Sequence, residues 1–131
     1  MARLARGVHV RILLVEDDDD LRTEIREYLH RRGHEVTACG SLGDARAAVC
    51  QLIAAETLPE ATVCDVNLPD GNGVDFYMTT ASRLPSSRWI LMSGAHDHGR
   101  TSQLAEATDG RPQCIIIEKP VSLRVLHAAL G

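Results

Sequence analysis

The sequence lacks features that would each point to a particular class of protein. Basic residues are not in excess, because 14 Lys and Arg stand against 18 Asp and Glu and give a net charge of −4. Direct binding to nucleic acid is therefore not expected. No apolar stretch approaches the length of a membrane span, and the N-terminal arginines precede no apolar segment of the secretory kind. We therefore expect neither a membrane anchor nor an export signal.

Cysteine spacing of the kind used for metal or redox sites is also missing. No two cysteines form a C-x-x-C motif; they are Cys39, Cys50, Cys64 and Cys114. We expect reduced, mostly buried thiols in a cytoplasmic protein. The 131 residues, 44% apolar and 24% charged, suit one globular domain. We assign residues 10–131 to this domain and residues 1–9 to a short N-terminal extension.

Segments of strand type alternate with segments of helix type, which predicts an α/β fold with a parallel sheet. Most of the strand segments are short, apolar runs of the kind buried on both faces of a sheet. We expect strands at Val10–Val15, Glu35–Cys39, Ala61–Val66, Trp89–Met92 and Cys114–Ile117. We expect helices from Asp18 to Arg32, after Ser41, after the turn at 69–73 to about Leu84, near Ser102–Thr108, and after Ser122. The chain therefore contains five βα units.

Four of these strands run into polar residues that phosphoryl chemistry can use. Glu16 and Asp17 follow the first strand, Asp65 the third, Ser93 the fourth and Lys119 the fifth. Because parallel strands present their carboxyl ends at one edge of the sheet, and open α/β sheets bind ligands there, these side chains should converge.

The residue types at that edge suggest a different chemical role for each side chain. A carboxylate such as Asp65 can act as a nucleophile towards phosphorus and form an aspartyl-phosphate. Mg²⁺ prefers oxygen ligands, which Asp17, Asp65 and the Asn67 carbonyl could supply. Lys119 and the Ser93 hydroxyl would then bind phosphoryl oxygens.

The motifs Leu14–Val15–Glu16–Asp17–Asp18, Asp65–Val66–Asn67–Leu68–Pro69, Ser93–Gly94–Ala95 and Lys119–Pro120 resemble those of bacterial two-component receiver domains. The resemblance implies a flavodoxin-like (βα)5 fold with strand order 2-1-3-4-5. It implies that Asp65 is the phospho-acceptor, that Glu16 and Asp17 surround Mg²⁺, that Ser93 is the switch hydroxyl, and that a cis peptide follows Lys119.

The same resemblance implies a signalling domain rather than an enzyme that acts on a separate substrate. Its phosphoryl donor would be a histidine kinase or a histidine phosphotransfer protein. We expect a stand-alone receiver, whose output is phosphorylation-dependent protein binding or onward phosphoryl transfer, with no direct contact to nucleic acid or membrane.

One position departs from the receiver pattern. Receivers usually carry Tyr or Phe three residues before the lysine, where this chain has Ile116. An aromatic side chain cannot therefore couple to Ser93 in the usual way. The alternative hypothesis is a degenerate receiver that acts as a constitutive protein-interaction module.

Three other interpretations compete with the receiver hypothesis. Gly94 to Thr101 nearly matches a phosphate-binding P-loop, but Arg100 replaces its lysine and Asp97 would repel phosphate. His96 and His98 could bind a metal, although two histidines without further ligands are usually only solvated. A phosphatase with a nucleophilic Asp65 would need an acid two residues later, where Asn67 stands.

Overall fold

Five parallel strands form the central sheet in the part of the chain that the structure describes, which is residues 9–94, 97 and 114–130 of a computed structural model. They are β1 (Arg11–Val15), β2 (Glu35–Cys39), β3 (Ala61–Asp65), β4 (Arg88–Ser93) and β5 (Cys114–Glu118). The order across the sheet is β2-β1-β3-β4-β5, which confirms the predicted order 2-1-3-4-5. Each strand ends within one residue of its predicted position.

Side-chain caps fix where the helices begin. The described helices are α1 (Asp19–Arg31), α2 (Leu42–Ala54), α3 (Gly73–Thr80) and α4 (Leu123–Ala129). The preceding residues, Asp18, Ser41, Asn72 and Ser122, each accept hydrogen bonds from backbone N–H groups of the first turn. The aspartates before and at the start of α1 therefore act at a helix N-terminus, as their sequence position predicts.

The third helix is shorter than predicted. Its α-helical part ends at Thr80, and a 3-10 turn over Ala81–Arg83 carries the chain to Leu84. The Leu84 N–H donates to the Ala81 carbonyl, the tighter i to i+3 pattern that commonly ends helices. The helix expected near Ser102–Thr108 lies outside the described residues.

Apolar side chains cover both faces of the sheet, as a parallel sheet requires. Alternation along β1 sends Leu13 and Val15 towards α2 and α3, and Ile12 and Leu14 towards α1 and α4. Trp89 is fully buried in the first of these layers, and its ring packs edge-on against Phe76 and Tyr77. Within the described ranges, no helix is both long and apolar enough to cross a membrane.

Candidate functional site

The carboxyl edge of the sheet brings the predicted acids and the predicted lysine together. Asp65 is the last residue of β3, Glu16 follows β1 and Lys119 follows β5. The Lys119 Nζ lies 2.6 Å from Asp65 Oδ2 and 3.3 Å from Glu16 Oε1. The convergence predicted from the shared carboxyl edge of parallel strands is therefore present for these three residues.

Three carboxylates form one cluster at this edge. One oxygen from each of Glu16, Asp17 and Asp65 lies within 4.8 Å of the other two. Glu16 and Asp65 are buried, whereas Asp17 is exposed to solvent. The cluster thus combines an interior pair of acids with one acid at the protein surface, and all its donor atoms are oxygens, the type that Mg²⁺ prefers.

Burial and like charge shape the electrostatics of the cluster. Burial raises the pKa of Glu16 to about 7, and the negative charge of Asp65 adds to the effect. A hydrogen bond from the Asp18 N–H and the charge of Lys119 act in the opposite direction. Burial lowers the pKa of Lys119, but its hydrogen bond and ion pairs with the two acids outweigh that effect and leave the pKa raised. Lys119 is therefore a firmly charged cation among acids.

The backbone around Asp65 fixes the direction of its side chain. Asp65 Oδ1 accepts a hydrogen bond from the Asn67 N–H at 3.1 Å, while Oδ2 faces Lys119. Gly73 packs against the main chain of Asp65, and a Cβ at Gly73 would clash with the Asp65 carbonyl oxygen. Asn67 begins a short hairpin over 67–68 and 71–72, and the use of its carbonyl as a metal ligand stays a prediction.

Ser93 and Lys119 are joined through their main chains. The Lys119 N–H donates to the Ser93 carbonyl at 2.8 Å, and the Ser93 hydroxyl donates to the Gly94 carbonyl at 3.2 Å. Ser93 is buried at the end of β4. The peptide bond between Lys119 and Pro120 is cis, as the resemblance implied.

Two side chains that sequence reasoning did not assign support this edge. Arg22 donates to the Glu16 carbonyl at 2.9 Å and so holds the end of β1. Asp70 accepts from the N–H groups of Leu42 and Gly43, both at 2.9 Å, and thereby caps α2 from the loop that follows β3. These bonds lower the pKa of Asp70. The only sequence signal for Asp70 is its place in the turn-forming segment 69–73.

Other candidates separate from the site or lie beyond the described residues. Cys64 is fully buried in the layer beneath α2 and α3, and burial raises its pKa well above the usual thiol value. It is therefore a core residue, in agreement with the expectation of mostly buried thiols. Most of the P-loop-like segment, including His96, His98 and Arg100, lies outside the described residues.

The family model of the response regulator receiver domain matches residues 12–131, nearly the whole chain. This chain belongs to that family. Solved receiver domains share its fold: one from Clostridium thermocellum has a TM-score of 0.76 at 19% identity over 92% of this chain and 90% of its own. A CheY-like receiver domain from Methanospirillum hungatei has a TM-score of 0.76 at 22% identity over 91% and 88% of the two chains.

Curated relatives of this receiver domain are longer regulators. The transcriptional regulatory protein YvcP of Bacillus subtilis is 31% identical over 120 residues, which cover 92% of this chain and 46% of YvcP. The DNA-binding transcriptional regulator NtrC of Azospirillum brasilense is 27% identical over 91% of this chain and 26% of its own length. The chain spans less than half the length of these relatives.

Proposed function

We propose that this receiver domain accepts a phosphoryl group on Asp65 from a phosphorylated histidine of a histidine kinase or phosphotransfer protein. The observation that carries the proposal is the position of Lys119 Nζ, 2.6 Å from Asp65 Oδ2 and 3.3 Å from Glu16 Oε1. An ammonium at this position pairs with the carboxylate that would act as the nucleophile towards phosphorus. It also stands next to the oxygens on which phosphoryl charge develops.

In the proposed transfer step one bond to phosphorus forms and one breaks. An Asp65 oxygen forms a bond to phosphorus while the P–N bond of the donor histidine breaks, and the bonding electrons leave with the imidazole nitrogen. Lys119 then passes from the carboxylate to an oxygen of the new phosphoryl group. The Ser93 hydroxyl leaves the Gly94 carbonyl and donates to another phosphoryl oxygen.

The residues present fit a magnesium ion, which we propose as the cofactor. Glu16, Asp17 and Asp65 would hold it, with the Asn67 carbonyl as a further oxygen ligand. The fit is supported by carboxylate oxygens within 4.8 Å of one another and by the exposure of Asp17, which leaves space for the waters that Mg²⁺ retains. When bound, the ion supplies positive charge to the phosphoryl oxygens.

We propose that the output is phosphorylation-dependent binding to another protein, or onward transfer of the phosphoryl group. Two of the matched relatives bear names that describe them as DNA-binding, but this chain covers 37% and 26% of their lengths. The net charge of −4 supports a protein partner rather than nucleic acid.

The test is the intact mass of the protein after incubation with acetyl phosphate, with and without Mg²⁺. We expect a gain of one phosphoryl group that requires Mg²⁺ and is lost in Asp65→Asn. Asp75→Asn makes the same acid-to-amide change at the start of α3 and should gain the group as the wild type does. A folded wild-type protein that gains nothing, beside a control receiver that does, would refute the proposal.

The constitutive interaction module is the second candidate, and Ile116 is the observation in its favour. Ile116 is aliphatic and 41% exposed on β5, so it offers an apolar surface that needs no phosphorylation to become accessible. Amide hydrogen exchange with and without beryllofluoride, a phosphoryl mimic, separates the two candidates. Changed exchange in β5 and α4 supports the switch, and unchanged exchange at saturating beryllofluoride supports the module.

A further inference from the structure

One acidic residue, Asp97, holds both peptide groups of Gly94, the residue that follows Ser93. Asp97 Oδ2 accepts a hydrogen bond from the Gly94 N–H at 2.7 Å, and the Asp97 N–H donates to the Gly94 carbonyl at 3.2 Å. Asp97 is only 4% exposed although its side chain is a carboxylate. A carboxylate that accepts from a backbone N–H forms a charge-assisted hydrogen bond, which is shorter and stronger than a neutral one.

These two peptide groups are the ones that orient Ser93. In the peptide group between Ser93 and Gly94, the carbonyl accepts a hydrogen bond from the Lys119 N–H and the N–H donates one to Asp97. Both polar groups of this peptide are therefore hydrogen-bonded. The Gly94 carbonyl accepts from the Ser93 hydroxyl and from the Asp97 N–H together. Glycine restricts its own backbone very little, so the order at this position must come from such bonds.

We infer that Asp97 is a positioning residue for phosphoryl transfer, acting through the peptide groups of Gly94. It fixes the Ser93 hydroxyl, one of the groups that would meet the phosphoryl oxygens, relative to the main chain of Lys119. The inference rests on the proposed function of Asp65. From the sequence, Asp97 served only as an argument against a phosphate-binding P-loop, and the inference gives it a separate role.

The experiment measures the maximal rate of phosphorylation at saturating acetyl phosphate and Mg²⁺. Asp97→Ala should lower this rate about three- to tenfold, which is the change in rate that corresponds to the free energy of one hydrogen bond. Asp97→Asn keeps an acceptor oxygen and should recover most of the rate. The acetyl phosphate concentration for half-maximal rate should not change, because Asp97 positions Ser93 and does not bind the donor.

A double-mutant comparison separates positioning from general stability. In a Ser93→Ala background, Asp97→Ala should lower the rate less than twofold, because the group that it positions is gone. Glu60→Ala is the matched control, since Glu60 also accepts from a backbone N–H, that of Arg11 at 3.0 Å, but at the opposite end of the sheet. It should leave the rate unchanged.

The outcomes distinguish this inference from the proposed function. A wild-type protein that takes up no phosphoryl group refutes both. If the wild type is phosphorylated but Asp97→Ala keeps the same rate, only the role of Asp97 is refuted. The same holds if Asp97→Ala lowers the rate by the same factor with Ser93 present and with Ser93→Ala. If Asp97→Ala does not fold, Asp97→Asn carries the comparison, because a neutral bond in place of a charge-assisted one should still slow the reaction about twofold, and only when Ser93 is present.

Discussion

Glu16 should govern how folding stability depends on pH when divalent cations are absent. Burial first, and then the charge of Asp65, raises the pKa of Glu16 in the folded protein from 4.5 to about 7. The folded protein therefore holds a proton on Glu16 over a pH range in which the unfolded chain has released it. The contribution of Glu16 to stability is fully present below pH 4.5 and is lost as the pH rises through about 7.

The size of this effect follows from the shift. At about 1.4 kcal/mol per pH unit, a pKa that moves from 4.5 to about 7 corresponds to roughly 3 kcal/mol of unfolding free energy. Glu16→Gln abolishes the titration, while its amide oxygen can keep one of the two acceptor bonds to the Asp18 N–H and Lys119. We therefore expect the wild type to lose about 3 kcal/mol more than Glu16→Gln between acid and mildly alkaline pH.

The assay is urea unfolding in EDTA at a series of pH values, followed by the fluorescence of Trp89. Trp89 is the only tryptophan and is fully buried, so its emission reports the whole domain. Titrating groups that do not interact with Glu16 cancel in the difference between the two proteins. Mg²⁺ at alkaline pH should raise the free energy of unfolding of the wild type more than that of the variant, because an ion that binds the folded state stabilises it. Equal pH slopes for the two proteins would refute the assignment to Glu16.

Three further predictions test other parts of the structure. Burial and the neighbouring His127 lower the pKa of His34, so its contribution to folding stability is present above pH 6.5 and is lost as the pH falls. In His34→Gln the free energy of unfolding should therefore decrease less steeply below pH 6.5 than in the wild type. An equally steep decrease in the two proteins would contradict this. Asp70→Asn should lower the melting temperature at neutral pH, because only the ionised carboxylate caps α2 strongly. The pKa of Asp70 is lowered in the folded protein, so the difference should persist down to pH 3.8 and fade below it; a difference that stays constant below pH 3.8 would refute the prediction. Gly73→Ala should cost about 1–3 kcal/mol in urea unfolding by pressing on the carbonyl at the end of β3, whereas Gly43→Ala, whose Cβ has ordinary contacts, should cost nothing. Equal stability of the two glycine variants would contradict the predicted clash.

Chain order was enough to predict most of the site. A short apolar run can be recognised as a buried strand from composition alone, and parallel strands all present their carboxyl ends at one edge. The residues that follow these runs must therefore meet, and Glu16, Asp65 and Lys119 do so. The order of the strands across the sheet could not be predicted from the alternation of strands and helices. Alternation does not say at which strand the direction of winding across the sheet changes. The order 2-1-3-4-5 came from the family resemblance.

The supporting contacts could not be predicted in the same way, because each depends on where a single side chain reaches in three dimensions. Asp70 caps a helix that begins 28 residues earlier, and no periodicity links the two positions. Arg22 sits on α1 at a spacing from Asp19 that indicates only a surface ion pair, yet its guanidinium also bonds the end of β1. The hydrogen bond from the Gly94 N–H to Asp97 could not be predicted either, because the sequence shows the charge of Asp97 and not its partner.

If Asp65 is phosphorylated as we propose, Ile116 limits the routes by which that event can reach a partner surface. It pairs in register with Leu91 in the middle of β5 and offers neither a ring nor a hydroxyl to fill space near Ser93. Among the residues that the structure describes, a connection through the main chain remains, since the Lys119 N–H bonds the Ser93 carbonyl and Ser93 pairs with Glu118. A movement of Ser93 therefore acts first on the end of β5. We expect beryllofluoride to change amide exchange most at Glu118 and Lys119, and a change centred on Ile116 would show that its side chain carries the signal after all.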